Sequence, residues 1–383
     1  LKPWEAGTPS RAGGACGLMG CKESKESSSG TGPPVQPVKQ KKEYTFGKKP
    51  GLDPADFIIK NKNNEAITKA SGSIDGQQFI IEDCSDCDIF LLDHVATITI
   101  DECQNCRFFV GPVQSSIFVR TCKNSDFIIA CQQFRSRDCE NCRFSLFSMT
   151  EPIIETSKRM QFACFDFFYF TLKDQFRRAG LKTWNNKWWQ IHDFNKNLQD
   201  PNWELFPQED VAKLLRTSLC TSLEAEEDTL DRVVPVTLGS RSRSSEEACF
   251  LVFMPKSQAV IEAFLDLAKE NESWILCRTR ATIVDEAKAK SLFAWCKDGA
   301  AKQCAGQEVV GIELCGDGVY SQVRDAINSS GLAAAAKKPP RGAGEGDARV
   351  GEGFLRDVEG RDLTRASPAR RGRAACLRAR GSI

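Results

Sequence analysis

Cysteine is the residue type best placed to do chemistry in this 383-residue chain: there are 18, against only 2 His (His94 and His192). Cys84–Cys87 and Cys103–Cys106 have the C-x2-C spacing of a four-thiolate zinc site, where each pair grips one side of a tetrahedral ion. The wider pattern weakens that reading. EDCSDC (82–87), DECQNC (101–106), RTCKNS (120–125) and RDCENC (137–142) are copies of one unit, with first cysteines at 84, 103, 122 and 139. The third copy has Ser125 where a second ligand would stand, and the pairs recur at a nearly fixed period embedded in strand patterns. No metal site is expected.

Two further constellations could act chemically. In CQQFRSR (131–137), strand alternation turns Phe134 inward and leaves Gln133, Arg135 and Arg137 on one outward face. An Arg flanked by a Gln on a rigid strand suits anion reading or stabilisation of charge in a transition state, although a solvated surface Arg is the plainer alternative. Near the start, Met19-Gly20-Cys21-Lys22-Glu23-Ser24 fits the M-G-x-x-x-[ST] pattern of N-myristoylation at Gly20, with Cys21 placed for palmitoylation. Two acyl chains anchor stably where one does not, and Lys22 and Lys25 add attraction to anionic lipid. The pattern requires Met19 to be the translation start, with the first 18 residues read as upstream sequence. A chain anchored this way faces the reducing cytosol, so a disulfide ladder is not expected.

The elements that must position these groups follow from the repeat. Each cysteine unit precedes a short β-rich run: DIFLLD, RFFVGP, DFIIAC and RFSLFS. A period of about 20 residues with several short strands marks a parallel β-helix, in which coils stack and equivalent side chains form ladders. Cys is small and apolar enough to line the interior. The aromatic-rich stretch at 161–194 is expected to cap the coil or pack along its flank. After a charged, Ser-rich linker at 219–247, the order strand (248–254), helix (258–271), strand (273–283), helix (286–297), strand (308–316) predicts an α/β ferredoxin-like domain at 248–331. The β-helix domain is placed at 51–218, between an unordered arm at 1–50 and an unordered tail at 332–383.

Composition excludes some classes. No run approaches the ~18 apolar residues of a membrane-spanning helix. The net charge is +1, against a globally basic nucleic-acid binder. The basic excess sits in the two end segments.

The segments GQQFIIEDCSDCDIF, TITIDECQNCRFFVGPV, IACQQFRSRDC and PIIE resemble the tubulin-folding cofactor C (C-CAP/TBCC) family, and CQQFR is the most specific of them. The MGC start and the IHDF segment (191–194) extend the resemblance over roughly 19–331. It implies a right-handed parallel β-helix followed by a ferredoxin-like domain similar to nucleoside diphosphate kinases. It also implies a GTPase-activating protein, not itself an enzyme, acting on an ARF-like small GTPase in the GTP form. The implied setting is the cytoplasmic face of the plasma membrane and the cilium, in trafficking of lipidated proteins to ciliary and photoreceptor membranes. Arg135 becomes the arginine finger and Gln133 its companion. Ser115, Ser116 (where the family more often has Gly-Ser), Gln132, Phe134, Glu155 and Phe194 become contacts to GTP or the GTPase, Glu155 orienting Arg135 electrostatically. GTP and magnesium would belong to the partner, since the chain has no GxxxxGK[ST] loop. The chain lacks a phosphate-accepting His after His192, so no kinase activity is expected. A non-catalytic effector or trafficking scaffold, and a cofactor C-like chaperone binding tubulin, are the alternatives.

Overall fold

The structure is a computed structural model that describes residues 52–214, 232–293, 299–330 and 332, and the backbone of 356–357 and 375–379. The arm at 1–50, with Gly20 and Cys21, lies outside the described residues. The first domain is a parallel β-helix whose strands are β1 (Ile58–Lys60), β2 (Ala66–Lys69), β3 (Phe79–Glu82), β4 (Asp88–Leu91), β5 (Ile98–Asp101) and β6 (Arg107–Arg120). It continues through β7 (Asp126–Arg137), β8 (Arg143–Ser148), β9 (Ile153–Glu155) and β10 (Met160–Cys164). After α1 (Leu172–Arg178), β11 (His192–Asp193) and β12 (Trp203–Leu205) complete its two ladders. Every strand pairs in parallel with its equivalent on the adjacent coil.

The cysteine pairs do not lie within strands, contrary to the expectation from sequence; they occupy the corners between strands. Each corner needs a left-handed residue before each inward side chain. Asp83 and Asp86, Glu102 and Asn105, and Asp138 and Asn141 take it with φ of 54–55°. Asp and Asn, which tolerate this region better than other non-Gly residues, hold five of these six positions, Glu102 being the exception. The corner thiols point inward and donate to the carbonyl two residues back, as in Cys84 to Glu82 (3.4 Å) and Cys122 to Arg120 (3.2 Å). Ser125 does the same toward Lys123 (2.8 Å) and accepts from the Cys106 amide (3.1 Å), so Ser replaces Cys without loss. Asn105, Asn124 and Asn141 form an outward ladder, with amide bonds of 3.3 and 2.8 Å between neighbours.

Inside the coils, Phe108, Phe127, Phe144 and Phe162 stack with centroids 4.8, 4.6 and 5.3 Å apart. The aromatic stretch flanks the coil: Phe165, Tyr169, Leu172 and Phe176 bury against Phe109, Ile128 and Phe147. Gln175 on α1 donates to the Leu92 carbonyl (2.9 Å) and fixes that helix to the coil.

Two domain assignments change. Residues 232–247 are not a free linker: Val233 and Val234 are buried against the flank, and Thr237 accepts the indole N–H of fully buried Trp188 (2.9 Å). The second domain comprises β13 (Ala248–Phe253), α2 (Gln258–Lys269), β14 (Ile275–Ile283), α3 (Glu286–Leu292), α4 (Ala300–Cys304), β15 (Glu308–Cys315) and α5 (Val319–Ser329). Its strands run β14-β15-β13, each pair antiparallel, with α2 and α5 packed on one face. That is the strand order of a ferredoxin-like domain without its last strand. The tail, expected to be unordered, contributes β16 (Arg356–Asp357) and β17 (Ala375–Ala379), and β17 runs parallel to β13 at that open edge. Trp184 from the first domain's flank joins the second domain's core, and Lys182 pairs with Glu308 (2.6 Å). No helix among the described residues is long and apolar enough to cross a membrane.

Candidate functional site

The coil register decides what stands beside what. Thr99, Phe118, Arg135 and Ile153 are successive Cα partners, as are Asp101, Arg120, Arg137 and Glu155. All of these but Asp101, together with Phe194, line a shallow cleft of about 400 Å³ on the outer face. The Arg135 side chain is exposed in it and makes no hydrogen bond or ion pair among the described residues. Its backbone is fixed by pairing to both β6 and β9, so only the side chain is free to move.

A polar shoulder leads into the cleft. The Ser116 hydroxyl donates to Gln133 Oε1 (2.9 Å) across adjacent coils, and the two residues are in register. Ser115 and Gln132 are exposed beside them. The Gln132 carbonyl accepts from the Thr150 amide (3.0 Å), which holds the shoulder to the next coil. The structure therefore gathers Ser115, Ser116, Gln132, Gln133 and Arg135 along one edge of two coils.

Three assignments shift. Phe134 is fully buried, edge-on to Phe144 (5.0 Å), so it is a core residue and not a surface contact. Glu155 is exposed in the cleft, but its register partner is Arg137; Arg135 stands opposite Ile153. Phe194 is 59% exposed at the cleft rim, T-shaped to His192 (4.8 Å). Its loop is held by side chains that sequence reasoning missed: Asn195 Oδ1 accepts from the Thr156 amide (2.7 Å), and Asp193 accepts from the Asn195 amide (2.8 Å) and from Asn202 Nδ2 (2.9 Å). Phe118 and Arg120 were also missed. Counting the repeat step of 17 residues from RTC to RDC would have placed both beside CQQFRSR.

The described cysteines of the coil are buried in its interior and not on this face. Among the described residues no group of three or more His, Cys, Asp or Glu converges as a metal site requires. Burial in the apolar interior pushes the Cys106, Cys142 and Cys164 thiols up to about 12.

A parallel β-helix of this kind, with Gln133 and Arg135 on the outward face of one strand, defines a class. The family described as tubulin binding cofactor C matches residues 76–194, the span from the coil's third strand to Phe194. Beyond that domain, the chain is 41% identical over 303 residues to Protein XRP2 of Danio rerio, covering 75% of this chain and 78% of that protein. It is 36% identical over 301 residues to Protein XRP2 of Homo sapiens, covering 77% and 86%. Tubulin-specific chaperone C of Homo sapiens is more distant, 26% identical over 153 residues, covering 39% and 44%. The chain belongs to the XRP2 family.

Proposed function

We propose that this protein is a GTPase-activating protein for an ARF-like small GTPase, with Arg135 supplied in trans as an arginine finger. The observation that carries the reading is an exposed guanidinium without a partner among the described residues, mounted on a strand paired on both sides. Such an Arg arrives with its backbone ordered and stabilises charge building on the β- and γ-phosphate oxygens, worth roughly 10³–10⁵ in rate in GTPases generally. Gln133, held by Ser116, would touch the nucleotide or the GTPase beside it. GTP and magnesium would come with the partner. Acylation at Gly20 and Cys21 would hold the protein at the cytoplasmic face of the plasma membrane and of the cilium, where it would serve trafficking of lipidated proteins.

The test is single-turnover GTP hydrolysis by an ARF-like GTPase with wild type and Arg135→Ala. The variant is expected to lose at least a hundredfold of the stimulation, in line with the range above. Equal rates would sink the reading in favour of a non-catalytic effector or scaffold. A tubulin-directed role draws support from the domain shared with tubulin-specific chaperone C, and the same pair of proteins assayed on tubulin GTP hydrolysis separates the two.

A further inference from the structure

Two charge ladders run along the β-helix, and they are built differently. In one, Asp88, Arg107, Asp126 and Arg143 are successive Cα partners, so the sign alternates from coil to coil. Arg107 pairs with Asp88, and Arg143 pairs with Asp126 (2.7 Å). In the other, the residues in register are Lys60, Glu82, Asp101, Arg120, Arg137 and Glu155, and Lys60 pairs with Glu82. Two acids are followed by two bases, which puts Arg120 and Arg137 directly opposite each other on β6 and β7. Like charges so placed on neighbouring strands destabilise a sheet.

Glu155 is the register partner of Arg137 but forms no ion pair with either arginine. Arg120 Nε lies 3.8 Å from Asp101, too far for a hydrogen bond, and it is buried without a hydrogen-bond partner. Arg137 Nε lies 3.3 Å from Asp138, but both side chains are more than half exposed, so the attraction is screened. Both guanidinium groups open onto the cleft that holds Arg135.

We infer that Arg120 and Arg137 form a docking clamp for surface carboxylates of the partner GTPase. A carboxylate between the two would replace mutual repulsion with charge-assisted bonds, and the planar guanidinium fork matches that group. The inference rests on the function proposed above. Arg137 is two residues beyond Arg135, about 7 Å along the strand. When Arg135 reaches the phosphates, the pair therefore faces the protein surface beside the nucleotide. The clamp governs encounter and affinity, while Arg135 governs hydrolysis.

The full chain is titrated with an ARF-like GTPase loaded with a non-hydrolysable GTP analogue, at low and at high salt. Arg137→Gln is expected to weaken binding about tenfold at low salt and to flatten the salt dependence. Arg137→Lys is expected to keep the salt dependence. Relief of the repulsion predicts that Arg137→Gln melts no lower than wild type. Unchanged affinity and salt slope in Arg137→Gln would overturn the clamp, as would weaker binding accompanied by a lower melting temperature, which marks a structural role. Failure of the wild type to bind removes the proposed function and the clamp together. An Arg137-dependent affinity with hydrolysis indifferent to Arg135→Ala removes the finger and leaves the clamp standing.

Discussion

Phe118 and Arg135 are Cα partners on adjacent coils, 17 residues apart in the chain and opposite each other in the cleft. The relationship places a half-buried aromatic next to the one guanidinium of the cleft that no described residue engages. The finger proposed at Arg135 must stay extended and available, and an aromatic neighbour offers it no competing carboxylate. Ile153 on the other side has the same property.

The phenylalanine stack is the part of the coil most sensitive to truncation. Phe127 is fully buried between Phe108 and Phe144. Phe127→Ala removes ring contacts on both sides and leaves a cavity that the rigid coils cannot close. A loss of about 3–5 kcal/mol is expected in urea unfolding monitored by circular dichroism.

Gly239 is the tightest point of the strap that joins the domains. Its φ is +67°, and a Cβ there would meet Trp188 and Trp189 at 2.8 Å. Its carbonyl accepts from Arg278 Nε (3.0 Å), and that guanidinium stacks over Trp189 at 5.0 Å. Gly239→Ala combines overpacking with an unfavourable φ and is expected to destabilise by roughly 2–3 kcal/mol. Limited proteolysis should detect it as faster cleavage between the two domains.

The buried thiols set a limit at alkaline pH. Cys106, Cys142 and Cys164 are raised by burial from an ordinary value near 9 to about 12. The unfolded chain ionises its thiols first, so their contribution is complete below pH 9 and is lost as pH rises toward 12. Between about pH 9 and 12, ionisation of each such thiol in the unfolded chain lowers stability by on the order of a few kcal/mol. Thermal melts are expected to be flat in this contribution from pH 7 to 8.5 and to fall steeply above about pH 9.5. Cys142→Ser, which lowers the number of titrating groups, should fall less steeply.

The anchor makes a separate prediction. If Gly20 and Cys21 are acylated as proposed, Gly20→Ala blocks myristoylation and with it stable dual acylation, because a single remaining signal binds membrane weakly. Cell fractionation should move the protein from the membrane pellet to the supernatant. Continued sedimentation with membranes would exclude acylation at Gly20 as the anchor.

Much of this architecture is legible residue by residue. The recurrence of Asp or Asn, then Cys, at a period of 17–19 residues specifies corners and an inward ladder, because each unit meets the same steric demand at the same point of every coil. Alternation in CQQFRSR likewise puts Phe134 inside and Arg135 outside, since β side chains obey a period of two wherever the strand runs. The unpatterned segments misled. The strap at 232–247 looks like a linker because its few apolar residues have no local period; they are buried by surfaces that other segments supply.

The sequence by itself therefore determined the coil, the inward cysteines and the outward arginine, all consequences of local stereochemistry repeated along the chain. Only the tertiary structure decided the neighbours: Phe118 and Ile153 beside Arg135, Arg137 and not Arg135 opposite Glu155, and Phe194 brought to the rim from 59 residues away. Those relations depend on the register between coils. Register is fixed by how many residues each corner and loop consumes, a sum over the whole turn that no short motif contains.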